Sequence, residues 1–448
     1  MNTLDSTLES VRPLRLILLA IQHVLVMYAG AIATPLIIGA ALNLPKEQIA
    51  YLINADLMAG GLVTLVQTVG WRGFGIRLPI MMGVTFTAIG PMIAIGSNPE
   101  MGLQGVYGAT IAAGLFGLIV APFVGKLLRF FPPIVTGIEI LLVGLSLMGV
   151  AATWAGGGYG SADFGGLLNL AIAGSVLLFV LLLVRKDRGM LSSLSILLAL
   201  IFGVLLSLAL GKVSFDGLAD APWIGVITPL HFGMPTISFW GVAAMCVVML
   251  VTFIESTGMF LAVGEIVGKP VSQRDLVRGF RADSIGNVIG GFFNTFPYTS
   301  FAQNVGLVAM TGVRSRWVCA VGGIILILLG MLPKLAVVVA SVPPSVLGGA
   351  GIVMFGMVAA SGVRTLTKVD LSRHQNLYII AISVGVGMLP VVSEKFFSKM
   401  PGAIAPILSS SILLAAITAV ILNLFFNGVG STQEAEKAAL ETARTETI

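Results

Sequence analysis

Charge is what this sequence has least of. Asp, Glu, Lys and Arg together make up 10% of its 448 residues, against about 25% in an ordinary soluble domain, so a water-soluble globular fold is excluded. Cysteine is scarce too: Cys246 and Cys319 are the only two, both inside apolar stretches, which leaves no material for a disulfide framework or a CxxC metal site. Also absent are HExxH, a phosphate-binding loop, a G-x-S-x-G elbow and clustered Cys and His, the spacings that hydrolytic, phosphoryl-transfer and metal chemistry require. The chain is therefore not read as an enzyme. Nor does the stretch Met1 to Ser10, polar and acidic, supply the basic region that opens a cleaved signal peptide.

Apolar sequence is abundant. Hydrophobic residues reach 57% and the mean hydropathy is +1.02, and blocks of about 20 apolar residues, long enough to cross a bilayer, recur almost end to end. The pattern predicts an all-α polytopic membrane protein with fourteen transmembrane segments, the first at 15–32 and the last at 402–427. A net charge of +5 would suit a nucleic-acid partner, yet with the N-terminus inside, all but five of the 25 lysines and arginines fall in cytoplasmic loops. Lys46, Lys212, Lys334, Lys395 and Lys399 are those five. This bias toward positive loops inside accounts for the basic excess with no nucleic-acid partner, places both termini in the cytoplasm and requires an even number of spans.

Two segments, 79–97 and 297–312, do not read as ordinary helices. Leu78-Pro79-Ile80-Met81-Met82-Gly83-Val84-Thr85-Phe86-Thr87 and Phe296-Pro297-Tyr298-Thr299-Ser300-Phe301-Ala302-Gln303-Asn304 each place a proline and polar residues before a brief apolar run, the pattern of extended backbone followed by a half-helix. Such backbone is tolerated at membrane depth only where protein buries it or a polar cavity borders it, so the pair marks a substrate site. An internal repeat accompanies them: Pro122, then Phe131-Pro132-Pro133-Ile134-Val135-Thr136-Gly137, recurs 211 residues later as Pro333, then Val342-Pro343-Pro344-Ser345-Val346-Leu347-Gly348. With seven segments per unit, the second copy enters from the opposite face. The expected architecture is a 7+7 inverted repeat, suited to the two quasi-equivalent states of a secondary transporter.

An Asp, Lys or Arg at the centre of a span costs about 2.5–3.5 kcal/mol on insertion scales, so His23, Asp56, Glu139, Glu255, Glu265 and Asp283 each need a reason to be where they are. Glu255 falls near the middle of the eighth segment, level with the second broken element. It either binds substrate or caps a neighbouring backbone gap. Asp283, nearer the cytoplasmic end of the ninth, is either functional or a salt bridge or helix cap. His23 is either a supporting site residue or a buried histidine with one satisfied hydrogen bond. Asp56, Glu139 and Glu265 read as water-facing, snorkelling or bonded across helices, and Gly348-Gly349 as close helix packing.

Gln303-Asn304-Val305-Gly306, four residues, then Thr311-Gly312 resembles the signature of the nucleobase-ascorbate transporter family. Gln22-His23, Phe253-Ile254-Glu255-Ser256-Thr257-Gly258, Asn294-Thr295-Phe296-Pro297 and Leu422-Asn423-Leu424-Phe425-Phe426-Asn427 extend the resemblance over nearly the whole chain. Ile254-Glu255-Ser256, Met259-Phe260-Leu261 and Thr299-Ser300-Phe301 look most like the bacterial uric acid permeases of that family. The resemblance implies a core domain at 15–121 and 239–339 that holds substrate. It further implies a gate domain at 132–210 and 344–427 that moves and forms a homodimer, between short cytoplasmic ends at 1–14 and 428–448. It implies a proton symporter for purines in the bacterial inner membrane, surrounded by lipid, with protons as the coupling ion and no other cofactor. Urate is the expected substrate, with xanthine or another nucleobase as alternatives; an uncoupled facilitator or channel of the same fold is the competing class.

Carried over by position, Glu255 is the substrate-binding glutamate and Gln303 the signature amide on the ligand, flanked by Ala302 and Asn304. Phe86 is an aromatic lining the pocket, and Thr85 a position tied to purine selectivity. Asp283 is the aspartate needed for transport and His23 a supporting residue. Met259 departs from relatives that place an aspartate or histidine one turn after the glutamate, which disfavours xanthine and uracil; Glu139 has no counterpart in this picture. The chemistry agrees, because a purine dione or trione presents alternating N–H donors and C=O acceptors. A carboxylate accepts two parallel N–H bonds, and a Gln amide offers one donor and one acceptor. Amides freed at the start of the half-helix after Gln303 favour an anion, and repulsion between that anion and Glu255 ties protonation to binding.

Overall fold

The computed structural model describes residues 6–9, 11–124, 130–186, 190–215, 217–393, 395–401 and 404–428. The expected tail at 428–448 lies outside them except for residue 428, as do residues 1–5 and 10 of the N-terminal segment. Lys126, Arg129, Arg188, Lys437 and Arg444 of the charge argument also fall outside the described residues.

The chain folds mostly into helices, several of which start at Pro or stop at Gly. In chain order these are α1 Pro13–Ala41, α2 Lys46–Val69, the strand β1 Met82–Val84, α3 Ile89–Gly96, α4 Gly102–Val120, α5 Pro133–Ala155, α6 Leu167–Lys186 and α7 Ser195–Ala209. There follow α8 Phe239–Val267, α9 Gln273–Phe292, the strand β2 Tyr298–Ser300, α10 Ala302–Thr311, α11 Trp317–Gly330, α12 Pro333–Ala340, α13 Pro344–Leu366, α14 His374–Val392 and α15 Ser411–Asn427. Among the described residues, 8 helices are long and apolar enough to cross a membrane, or 9 when α11 and α12, bent by 81° at Leu332, are counted as one span. The remaining expected segments appear as shorter helices, as the strand-helix units or, at 275–292, as the 20-residue but less apolar α9. The protein is thus a multi-pass, predominantly helical membrane protein.

Prolines open α5, α12 and α13 at N1 or N2, where the missing N–H is one that a first turn leaves unpaired anyway. The repeated Pro-Pro motif therefore starts α5 and α13, and these two helices pack directly on each other. Glycines make that contact close: a Cβ on Gly348 would strike the backbone of Ala155, and one on Gly362 that of Leu141. Without a hydrophobic driving force between helices in lipid, such backbone approach supplies dispersion contact instead.

Contacts divide the helices into two groups. In one, α2 packs on α1, α9 and α11, while α4 packs on α8 and α9. In the other, α5 packs on α13, α14 and α15, with α6 against α7 and α13. Both strands belong to the first group. They pair antiparallel, with Met82 opposite Ser300, Gly83 opposite Thr299 and Val84 opposite Tyr298. The ladder is extended by Thr85 N to Pro297 O at 2.9 Å and Phe301 N to Met81 O at 3.0 Å. Outer edges are satisfied by side chains: Thr64 Oγ1 accepts from Met82 N at 3.0 Å and Asn287 Oδ1 from Tyr298 N at 2.9 Å. Extended backbone in the apolar interior thus finds partners in protein, as burial requires.

Candidate functional site

Immediately after each strand the chain turns into a helix, and the two helix starts meet over one cavity of about 470 Å³. Thr85 closes β1: its Oγ1 accepts from Thr87 N at 3.3 Å and caps the single turn Phe86–Ala88 that leads into α3. On the other side Phe301 and Ala302 begin α10. Freed N–H groups at the two starts give this region positive potential. The first helix group lines the cavity with Thr85, Phe86, Glu255, Met259, Ala302 and Gln303; the second lines it with Thr136, Ile140 and Val143 of α5 and Val353, Met354 and Met357 of α13.

Glu255, half-buried, projects from the middle of α8 into a cage of threonines. Thr87 Oγ1 donates to its Oε1 at 3.0 Å, and Thr85 and Thr299 line the cavity beside it. The Thr87 hydroxyl thus orients a carboxylate that opens to the cavity. Gln303 is exposed to that space. Phe86 stands edge-on to Phe355 of α13, with ring centroids 6.0 Å apart, so the aromatic expected to cover a ligand also touches the second helix group. Met259, one turn beyond Glu255, forms an apolar part of the wall.

Three expected site residues do not line the cavity. Asn304 is buried behind α10, where its Nδ2 donates to the His23 carbonyl at 2.9 Å and lies 3.1 Å from His23 Nδ1. His23 therefore pins the start of the half-helix from α1, and Asn304 faces away from the cavity because successive helical residues turn by about 100°. Asp283 stands midway along α9 rather than toward its end, fully buried. Its Oδ1 accepts from Gln67 Nε2 at 2.9 Å, and Gln67 Oε1 in turn accepts from Ile76 N at 3.0 Å. Ser256, next to Glu255 and 3.5 Å from Thr299 across their hydroxyls, stands on the Asp283 side of α8.

Asp56 is bonded across elements: Thr295 Oγ1 donates to its Oδ1 at 3.0 Å and Tyr298 OH at 2.7 Å. Glu265 is exposed near the end of α8. Glu139 corrects the expectation made for it, being neither water-facing nor bonded across helices; it is buried, with Oε1 unpartnered among the described residues. It precedes the cavity-lining Ile140 on α5, a helix packed on α13, α14 and α15, and that packing buries it.

Sequence reading alone misses Thr87 as the partner of Glu255, and Gln67 as the partner of Asp283. Thr87 and Glu255 are 168 positions apart, and Gln67 and Asp283 216. Their only sequence signal is polar residues within the two broken elements and at the end of α2. Phe301 is missed as well: it lines the cavity and fills the space left by Gly30 and Gly83, neither of which has room for a Cβ beside its ring.

The model of the Permease family matches residues 14–396 of the chain. The uric acid transporter UacT of Escherichia coli is 54% identical over 418 residues, covering 93% of this chain and 87% of its own. The uric acid permease PucK of Bacillus subtilis is 43% identical, over 97% of this chain and 100% of its own, and a xanthine permease of the same organism is also 43% identical, over 94% and 96%. Among solved structures, the transmembrane domain of a cyanobacterial bicarbonate transporter, BicA, superposes with a TM-score of 0.55 at 17% identity over 93% of this chain and 99% of that one. At that identity the likeness concerns the fold alone.

Proposed function

The chain belongs to the Permease family, the nucleobase-ascorbate transporters, and from that membership we propose a proton-coupled urate symporter of the bacterial inner membrane. One observation carries the reading: the Glu255 carboxylate, oriented by the Thr87 hydroxyl, opens onto a cavity of about 470 Å³ shared with Gln303. Glu255 accepts ring N–H groups, Gln303 pairs with a neighbouring N–H and C=O, and Phe86 covers the ring face. Asn304 and His23 act by holding α10, and Ala302 shapes the wall beside Gln303. The uric acid relatives support urate, and the apolar Met259 wall is compatible with an anion.

In this reading the first helix group is the core domain and the second the gate domain, which also forms a homodimer in lipid. The fourteen segments form the inverted 7+7 array with both termini cytoplasmic. Because the cavity is lined from both groups, movement of one against the other changes its access, the geometry that alternating access requires. Reconstituted protein should accumulate urate when an inward proton gradient is imposed and stop when a protonophore collapses it. Uptake indifferent to the gradient would make the protein a facilitator, and preferential uptake of xanthine in a competition series would overturn the substrate.

Two substitutions test the assignments. Met259→Asp places a second carboxylate one turn from Glu255 on the cavity wall, and like charges there disfavour an anion. Urate uptake should fall about tenfold or more, the equivalent of about 1.4 kcal/mol, while xanthine uptake falls less. An unchanged urate-to-xanthine ratio would free Met259 of any part in selectivity. Asp283→Asn keeps the shape beside Gln67 but removes a carboxyl that titrates behind the site. It should retain urate binding and lose gradient-driven accumulation; loss of binding in a folded variant would place Asp283 in ligand recognition instead.

A further inference from the structure

We propose that the segment from Trp223 to Phe239, a strap laid across one end of the first helix group, is a membrane-surface anchor whose apolar side is seated in the headgroup region of the adjoining leaflet. In the orientation given above this is the outer leaflet. The strap takes no part in recognising the purine, and its role is the same whichever purine is carried.

The strap lies in the connection from α7 to α8, which joins the two helix groups. Four helix ends of the first group hold one side of it. Tyr51 in α2 donates its hydroxyl to Thr228 O at 2.9 Å, and Gln104 at the start of α4 donates Nε2 to Phe232 O at 3.0 Å while its carbonyl accepts from Thr236 N at 3.1 Å. Leu230 N donates to Phe292 O at the end of α9, and Gly225 N to Met331 O just past α11, each at 3.0 Å. Ile227 packs between Ala55 and Met58, Phe232 meets the rings of Tyr51 and Tyr107, and His231 stacks on Tyr51 with centroids 3.9 Å apart. That side of the strap is occupied by protein.

The other side is apolar and open: Trp223 is 74% exposed and Ile237 77%, with Ile224, Val226, Met234 and Phe239 exposed beside them. No Asp, Glu, Lys or Arg falls between Trp223 and Phe239, whereas the stretch just before carries Lys212, Asp216 and Asp220. A contiguous apolar surface rimmed by polar residues marks an interaction site, and two observations assign this one to the bilayer. First, it runs without a break into Phe239 and Trp240, exposed at the start of the membrane-spanning α8, so it continues a lipid-facing surface. Second, the Lys334 ammonium stands 4.9 Å from the centroid of the Trp223 ring and donates to Leu218 O at 3.1 Å, on the side of the polar stretch. An indole at headgroup depth with a cation held toward water is the arrangement that anchors a protein at the interface. Headgroup depth is also the limit, because hydrocarbon would leave irregular backbone without partners.

Tryptophan fluorescence tests the anchor without reference to transport. Wild-type protein and Trp223→Phe are reconstituted in phosphatidylcholine vesicles, either plain or brominated near the glycerol end of the acyl chains, and the difference between the two proteins isolates the Trp223 emission. Bromine should remove most of that emission. Undiminished emission in the brominated vesicles overturns the anchor, and iodide added to the water then tells what replaces it: strong quenching means that the strap stands in solvent, and none means that protein, such as a second copy of this chain, covers it. A nitroxide on Ile237→Cys, in a chain with Cys246→Ala and Cys319→Ala, gives an independent reading. Its collisions with oxygen, which concentrates in lipid, should exceed those with a water-soluble nickel chelate, and the reverse order overturns the proposal. Either result leaves the urate reading to its own uptake assay.

Discussion

Glu255→Gln should reduce urate uptake roughly hundredfold, the consequence of about 3 kcal/mol for lost charge-assisted bonds and groups left unpaired, with normal amounts of protein in the membrane. The substitution preserves size, so the surrounding helices have no reason to move. What changes is the pattern of donors and acceptors. The Thr87 hydroxyl donates to the carboxylate at 3.0 Å; an amide presents one oxygen and one NH₂, so that hydroxyl or a ring N–H of the ligand meets a donor. Hydroxyls can rotate to become acceptors, but ring N–H groups cannot, and the loss therefore concentrates in ligand binding. Isothermal titration with purified protein, alongside uptake, separates the two effects. Retention of wild-type affinity in Glu255→Gln would remove this side chain from the ligand.

Gly83→Ala is expected to be nearly as damaging for a reason that has nothing to do with charge. A Cβ at Gly83 would overlap the ring of Phe301, which also occupies the space beside Gly30. Phe301 caps the ladder through its N–H to Met81 O at 3.0 Å and leads directly into Ala302 and Gln303. The ring has no second place to go, because it is 4% exposed and hemmed in by α1 and β1. Overpacking of this kind typically costs about 1–3 kcal/mol, and here the displaced residue is the one that sets the position of the half-helix. Thermal unfolding of the purified protein should move down, and uptake should fall further than stability alone explains. Gly174→Ala on α6, where a Cβ meets nothing within 4 Å, is the control and should be close to neutral. Equal behaviour of the two would show that the Phe301 contact tolerates a methyl group.

The two predictions mark the divide between what was legible in the chain and what was not. Hydropathy, proline placement and the Pro-Pro repeat are local properties, and they were enough to determine a polytopic membrane protein with interrupted elements at 79–97 and 297–312. Glu255 was legible because a carboxyl in the middle of an apolar helix is costly wherever that helix lies, and Gln303 because of its signature. Antiparallel pairing of β1 with β2, Thr87 on Glu255, Gln67 on Asp283, and Phe301 against Gly83 depend on contacts between residues from about 160 to 220 positions apart, for which periodicity carries no signal. The same limit explains Asn304, a signature residue expected on the ligand, and His23, expected to support the site, whose side chains meet behind α10. Glu139 shows it most plainly. Its cost in the membrane was visible from sequence, yet only the packing of α5 against its neighbours decides that it is buried, with Oε1 unpartnered among the described residues.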